Sequence, residues 1–391
     1  MLNTNFSSWP LFTEEESKAV SKVLLSNKVN YWTGEEGRRF EKEFASWCEA
    51  KYAVALMNGT VALDVAFKAL GLGRGDEVIV TSRTFLASVS SIVNIGAIPV
   101  FADVSIDSQN ITPQSIKKKI TSKTKAILCV HLAGWPCEMD EIIQISDEHG
   151  LCVIEDCAQA HGAKYKGKPV GSFGHIGCWS FCQDKIMSTG GEGGMVTTDS
   201  YDLWSKMWSY KDHGKSWSAV YEKEHLPGFR WLHESFGTNF RMTEIQAAIG
   251  RIQLKKMNDW HQKRVWNANK IWMMAREIKG LRVPSIPEYI EHAAYKCYIF
   301  VKPEALKESW SRDRIISEIN KLGIPCYSGS CSEVYLEKAF DECDFKPSKR
   351  LPAARALGEV SLMFLVHPTL KPSDIEEMCK AITIVMLKAQ I

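Results

Sequence analysis

Ser180-Phe181-Cys182-Gln183-Asp184-Lys185-Ile186-Met187-Ser188-Thr189-Gly190-Gly191-Glu192-Gly193-Gly194 is the stretch that decides how this chain is read, because it joins one polar Ser, one Lys and a glycine-dense turn within fifteen positions. It reads as a lysine held beside an anion. Upstream, Val153-Ile154-Glu155-Asp156-Cys157-Ala158-Gln159 is an apolar run ending in a carboxylate. Such a run suits a parallel strand that delivers an acid to the carboxyl edge of a sheet, where open α/β folds bind their ligands.

These residue types suit pyridoxal phosphate. A lysine amine can hold that cofactor as a Schiff base, while an Asp beside the pyridine nitrogen keeps it protonated so that the ring accepts electrons. The phosphate needs donors with little steric bulk, which glycine turns and helix N-termini supply as backbone N–H groups. Asn58-Gly59-Thr60, between the apolar run Ala53 to Met57 and the helical stretch Val61 to Leu70, is placed to do this. Singly, each piece has a plainer reading. Most lysines are solvated, an Asp at a strand end is commonly a turn former or helix cap, and Gly190 to Gly194 suits an ordinary hairpin connection. Their conjunction carries the inference.

The order of segments resembles the DegT/DnrJ/EryC1/StrS (sugar) aminotransferases, fold type I pyridoxal phosphate enzymes. The resemblance runs from Glu41-Lys42-Glu43-Phe44-Ala45 through Asn58 to Leu63, Gly71 to Val80 and Gly96 to Val104, then Glu155-Asp156-Cys157-Ala158-Gln159-Ala160-His161-Gly162, the lysine block and Gly237-Thr238-Asn239-Phe240-Arg241-Met242. It implies Lys185 as Schiff-base lysine and proton shuttle, Asp156 as pyridinium partner and Gln159 as neighbour of the phenolic oxygen. It also implies Phe85 stacked on the ring, Gly59, Thr60 and Ser180 on the phosphate, and Asn239 reaching the phosphate from a partner subunit. His161 and Arg241 are expected on the substrate side. Two departures stand out. Cys182-Gln183-Asp184 precedes the lysine where many relatives carry Pro-Thr or Ala-Thr, and Ser361 to Pro368 replaces a short Ser-Leu-Pro motif, so the C-terminal lobe is expected to hold an unusual substrate.

With 391 residues, 45% of them apolar and 24% charged, the chain exceeds the roughly 250–300 residues that one core serves, so two lobes are expected. The resemblance implies a mostly parallel central sheet with helices on both faces, a large cofactor-binding domain over residues 1–260 with an N-terminal helical segment, and a small C-terminal α/β domain over 261–391. A net charge of +2 with a pI near 7.9 gives no footprint for nucleic acid. Twelve scattered cysteines form no CxxC pair, which points away from a zinc ribbon or disulfide framework and towards reduced core thiols; no metal is expected. Met1 to Phe6 lacks a basic, then apolar leader, and no run approaches the roughly 18 apolar residues of a membrane span, so a cytoplasmic setting is expected.

Thr13-Glu14-Glu15-Glu16 reads as a capping box opening a helix of about a dozen residues. Short β-like runs at Ala53 to Met57, Glu77 to Thr81, Pro99 to Ala102, Ala126 to Val130 and Leu151 to Glu155 then alternate with helical ones, which predicts right-handed crossovers. From Trp204 to Phe236 no period emerges, and a segment of that length is expected to be functional or interfacial. A long helix follows from about Met242 to Ala268, then a strand at Ala294 to Val301.

Other classes fit less well. A nicotinamide dehydrogenase wants G-x-G-x-x-G directly after its first strand, whereas Gly71-Leu72-Gly73-Arg74-Gly75 follows a helix. A non-catalytic sensor of the same fold stays open. The related pyridoxamine-dependent sugar dehydratases replace the lysine with His, and this chain keeps Lys185. The expected activity is ping-pong transfer of an amino group from L-glutamate, by way of pyridoxamine phosphate, to a keto or aldehyde sugar, nucleotide-linked in most of the family and destined for a cell-surface polysaccharide. The working unit is expected to be a homodimer with shared sites.

Overall fold

A computed structural model describes residues 6–391; the reading of Met1 to Asn5 as free of a leader lies outside the described residues. Two helices, α1 (Glu14–Leu25) and α2 (Glu36–Trp47), lead into β1 (Tyr52–Leu56), α3 (Gly59–Ala69), β2 (Glu77–Thr81), α4 (Ala87–Asn94), β3 (Ile98–Ala102), α5 (Pro113–Lys117), β4 (Thr124–Val130), α6 (Met139–His149) and β5 (Cys152–Asp156). The short strands β6 (Lys164–Tyr165) and β7 (Lys168–Pro169) precede β8 (Ile176–Ser180) and β9 (Gly194–Thr198), and α7 (Tyr201–Tyr210) and α8 (Trp217–Tyr221) follow. The long α9 (Glu244–Arg276) leads to β10 (Leu281–Arg282), β11 (Ile290–Glu291), β12 (Lys296–Val301), α10 (Arg312–Lys321), β13 (Cys326–Tyr327), α11 (Pro352–Val360), β14 (Ser361–Leu365) and α12 (Pro372–Ala389).

Seven strands form the main sheet in the order β1-β9-β8-β5-β4-β2-β3. It is parallel except at β9, which runs antiparallel to both neighbours. Its strands are apolar on both faces because each face has its own core. Along β2, β4 and β5, Val78, Val80, Ala126, Leu128 and Ile154 enter one cluster, while Ile79, Ile127, Cys129 and Val153 enter another. Each fully buried Val, Leu or Ile contributes about 1.5–3 kcal/mol relative to exposure. A second, antiparallel sheet, β10-β12-β14-β13, belongs to the C-terminal part.

The expected capping box is present: the Glu16 carboxylate accepts from the Thr13 N–H at 2.9 Å and from its hydroxyl. Two expectations need correction. The Trp204 region opens with a helix, α7, capped by Ser200, whose hydroxyl accepts from the Leu203 N–H at 3.3 Å. Trp204, Met207 and Trp208 have the i, i+3, i+4 spacing of one helical face, a period masked by the aromatic richness around it. The long helix runs two turns beyond Ala268 because Ile271, Trp272 and Ala275 continue its apolar face into the C-terminal core. Its first half packs Ala247 and Met257 into the cluster around Phe40 and Phe44, so α9 passes unbroken through residue 260 and serves both cores. All twelve cysteines are free thiols, and no helix among the described residues is long and apolar enough to cross a membrane.

Candidate active site

At the carboxyl ends of the parallel strands lies a cavity of about 950 Å³, lined among others by Asn58, Gly59, Thr60, Phe85, Asp156, Gln159, Ser180, Lys185, Tyr295 and Lys296. Ligand pockets span about 300–1,000 Å³, so this one has room for a large substrate.

Asp156 is the last residue of β5 and is buried. Its Oδ2 accepts from the Ser88 hydroxyl at 2.8 Å and its Oδ1 from the Ala158 N–H at 3.1 Å, which fixes the carboxylate against the cavity. One residue earlier, Glu155 points away and braces the loops behind the site. It accepts from the N–H groups of Gly171 (2.8 Å), Phe173 (2.8 Å) and Gly174 (2.7 Å) and sits 3.0 Å from His131 Nε2. Burial works to raise its pKa, but the His131 imidazole and those backbone donors hold the carboxyl below its usual range. Gln159 Oε1 takes the Ala133 N–H at 2.9 Å, which leaves its amide nitrogen as a donor.

Asn58 caps α3, its side chain accepting from the Val61 N–H at 2.9 Å. The Gly59 and Thr60 N–H groups, in the first turn, have no intrahelical acceptor and lie at the cavity wall beside Ser180. A Cβ on Gly59 would meet the Ser180 Cβ at 2.5 Å and its Oγ at 2.8 Å, so only glycine lets the helix end approach this hydroxyl. Bare amides, a hydroxyl and a positive helix end form an anion cradle. Phe85 is 69% exposed, a bare ring face on the same wall. We expect Gly59→Ala to weaken retention of pyridoxal phosphate about tenfold, the cost of forcing one methyl group into a packed contact; equilibrium dialysis of the purified protein checks this, and unchanged retention would remove Gly59 from the cradle.

Lys185 is carried on the long connection from β8 to β9. Its Nζ is 3.9 Å from Asp184 Oδ1 and 5.4 Å from the centre of the Tyr295 ring, and its carbonyl accepts from the Trp9 indole N–H at 2.7 Å. The Tyr295 hydroxyl donates to Asp184. Burial opposes ionisation of Asp184, yet Lys185 and this hydroxyl keep its carboxyl below the ordinary range. Tyr295 and Lys296 reach the cavity because Ala293 and Tyr295 donate backbone hydrogen bonds to Gly134 (2.8 Å) and Ala133 (3.0 Å).

The cavity therefore brings together seven of the residues singled out above, Gly59, Thr60, Phe85, Asp156, Gln159, Ser180 and Lys185, but not His161, which was expected on the substrate side. His161 is fully buried, outside the lining residues, between the rings of Trp179 (5.2 Å) and Phe181 (5.6 Å). Burial, then the nearby Lys185 and Arg264, push its pKa down to about 3. Asn239 is exposed and off the cavity. Arg241 is tied to buried Asp212 at 2.8 Å, in a cluster with Lys211 and Lys215. Sequence reasoning missed Trp9, Ser88, Tyr295 and Lys296, of which only Lys296, a charge at the head of an apolar strand, left a local signal.

The donor set suits pyridoxal phosphate: a lysine, a fixed carboxylate, a bare aromatic face and an anion cradle surround one space. The DegT/DnrJ/EryC1/StrS aminotransferase family model matches residues 10–383. The chain is 42% identical to GDP-perosamine synthase of Escherichia coli O157:H7 over 64% of its own length and 66% of that protein, a little under two thirds. It is 35% identical to GDP-perosamine synthase of Caulobacter vibrioides over 91% of this chain and 92% of that one. A solved aminotransferase from Psychrobacter cryohalolentis superposes with a TM-score of 0.97 at 63% identity, covering 98% of this chain and 99% of the other. A cavity with these groups, on a fold shared along nearly the whole chain, makes this protein a member of the DegT/DnrJ/EryC1/StrS aminotransferase family.

Proposed function

We propose that the chain binds pyridoxal phosphate and transfers an amino group from L-glutamate to the carbonyl of a nucleotide-linked keto sugar, in a pathway to a cell-surface polysaccharide. The observation that carries the reading is the convergence of Lys185, Asp156, Ser180 and the α3 N-terminus on one cavity. The two GDP-perosamine synthases among its relatives support a nucleotide sugar as acceptor. When bound, the cofactor supplies an electron sink for the carbon that bears the nitrogen. The Gly59 and Thr60 amides and the Ser180 hydroxyl would hold its phosphate, with Asp156 for the ring nitrogen, Gln159 for the phenolic oxygen and Phe85 for the ring. The Lys185 amine would anchor it and carry the proton. A cytoplasmic setting fits reduced core thiols such as Cys129 and Cys178. Residues 1–260 and 261–391 are proposed as the two domains, with α9 as their shared spine.

The test is to incubate purified protein and pyridoxal phosphate with L-glutamate and a panel of GDP-, dTDP- and UDP-linked keto sugars, following amino-sugar product and 2-oxoglutarate by mass. Binding of the cofactor with no turnover on any member would favour the sensor reading instead.

A homodimer with composite sites is part of the proposal, supported by the exposure of Asn239 away from its own cavity and by the exposed Phe229, Trp231 and Phe236 close to it in sequence. In a symmetric pair one interface builds two sites. Mixing Lys185→Ala chains with Asn239→Ala chains should then restore activity, since both defects fall in one site of the mixed dimer and leave the other whole. No gain over the parent proteins, or a fully active monomer in sedimentation, would overturn the shared site.

A further inference from the structure

Lys296 opens β12 and faces the same cavity as Lys185. The two ammonium groups flank one ring: Lys185 Nζ is 5.4 Å and Lys296 Nζ 4.6 Å from the centre of Tyr295. Asp184 lies beside Lys185 and takes the Tyr295 hydroxyl. No ion pair to Lys296 occurs among the described residues. Behind the ring, Arg264 is 1% exposed. Its Nη1 reaches the Tyr295 carbonyl at 3.5 Å, its Nε and Nη2 have no hydrogen-bond partner, and the guanidinium lies 4.9 Å from the centre of the Trp9 ring. With the Lys185 amine taken up by the cofactor, Lys296 and Arg264 are left without an ion pair among the described residues, and the carboxylate beside them, Asp184, is already engaged by the Tyr295 hydroxyl. Of the other titratable groups, His161 and His367 add no anion, since burial, then the cations around them, push both down to about 3; the further carboxylates on the cavity wall are Asp156, tied to Ser88 and Ala158, and Glu192 and Glu337.

Buried or half-buried positive charge in excess is costly unless an anion joins it. We propose that Lys296 receives a carboxylate of the amino donor, with Arg264 reinforcing the positive field from behind Tyr295. The inference rests on amino transfer from an amino acid, as proposed above. The donor carbon that gives up its proton must come to the Lys185 amine, and a carboxylate is bonded to that same carbon, so a cation sharing an aromatic ring with Lys185 is within its reach. The phosphates of a nucleotide sugar are separated from the reacting carbonyl by the sugar ring and call for a cation farther out. Lys296 is then a specificity-determining residue for the first half of the reaction.

The test uses the holoenzyme without sugar, following loss of the visible cofactor absorption on mixing with L-glutamate, and separately the binding of glutarate, a dicarboxylate without an amine, by calorimetry. Lys296→Met should raise half-saturation for L-glutamate about 10- to 100-fold, the range of one charge-assisted hydrogen bond, and weaken glutarate to a similar degree, while Lys296→Arg keeps most of the affinity. An L-alanine arm tells which carboxylate is held: an equal loss marks the one on the reacting carbon, and no loss marks the distal one. Unchanged glutamate and glutarate affinities in a Lys296→Met protein with a normal cofactor spectrum would overturn the inference and leave the proposed function standing, as would a loss confined to the sugar half-reaction. A wild-type holoenzyme that fails to react with L-glutamate would remove both.

Discussion

Lys185→Ala should lower turnover by at least about 10⁴-fold, the upper range for loss of a positioned acid or base, because in the proposed assignment the same amine would both anchor the cofactor and carry the proton. Cofactor binding should persist, since the phosphate cradle of Gly59, Thr60 and Ser180 does not involve this side chain. Single-turnover absorbance measures the loss. Borohydride treatment of the wild-type protein should fix the cofactor on the peptide bearing Lys185. The competing nucleophile is Lys296, whose pKa is pushed down to about 8 by burial, with Arg264 and Lys185 adding to the effect against Asp184. A label on Lys296 would reverse the assignment of both lysines.

Asp156→Asn should cut activity about 10- to 100-fold, the value of one charge-assisted hydrogen bond to the cofactor ring, and shift the melting temperature little. The folded structure keeps its reasons to form, because an Asn at the end of β5 can still accept from the Ala158 N–H and pair with the Ser88 hydroxyl. Steady-state kinetics beside thermal melts separate the two effects. Near-normal turnover would make Asp156 a structural cap.

The parts of this site that were legible in the sequence are those whose chemistry and backbone role coincide locally. The apolar run ending at Asp156 had to be a buried strand with its acid at the carboxyl edge. Asn58-Gly59-Thr60 had to be a helix start, because an N-cap and a bare amide leave a recognisable pattern. Trp9 and Tyr295 had no such mark. They arrive through contacts distant in sequence, Trp9 onto the Lys185 carbonyl and Tyr295 through its backbone bond to Ala133, and no local period encodes a meeting of that kind. Arg241 shows the converse. Its motif stood out, yet the buried charge of Asp212 holds its guanidinium, a partner 29 residues away in the chain. The helix α7 escaped notice because a dense aromatic run also satisfies other readings.

The placement of β9 has a kinetic consequence. That strand is threaded between β8, its sequence neighbour, and β1, with Tyr52 opposite Thr198, so the chain joins its two most separated sheet strands across the far end of the loop that carries Lys185. Closing so long a loop must be complete before its contacts reward it, which makes such pairings slow. The lysine loop is closed at its base by the local pairing of β8 with β9, Ser180 opposite Gly194, but the cradle shuts only with the β1–β9 zipper, since Gly194 packs directly on Asn58 and Gly59. Refolding followed by tryptophan fluorescence and by cofactor absorption should accordingly show cofactor capture in the slowest phase, with the newly made chain unable to hold pyridoxal phosphate until the sheet has closed.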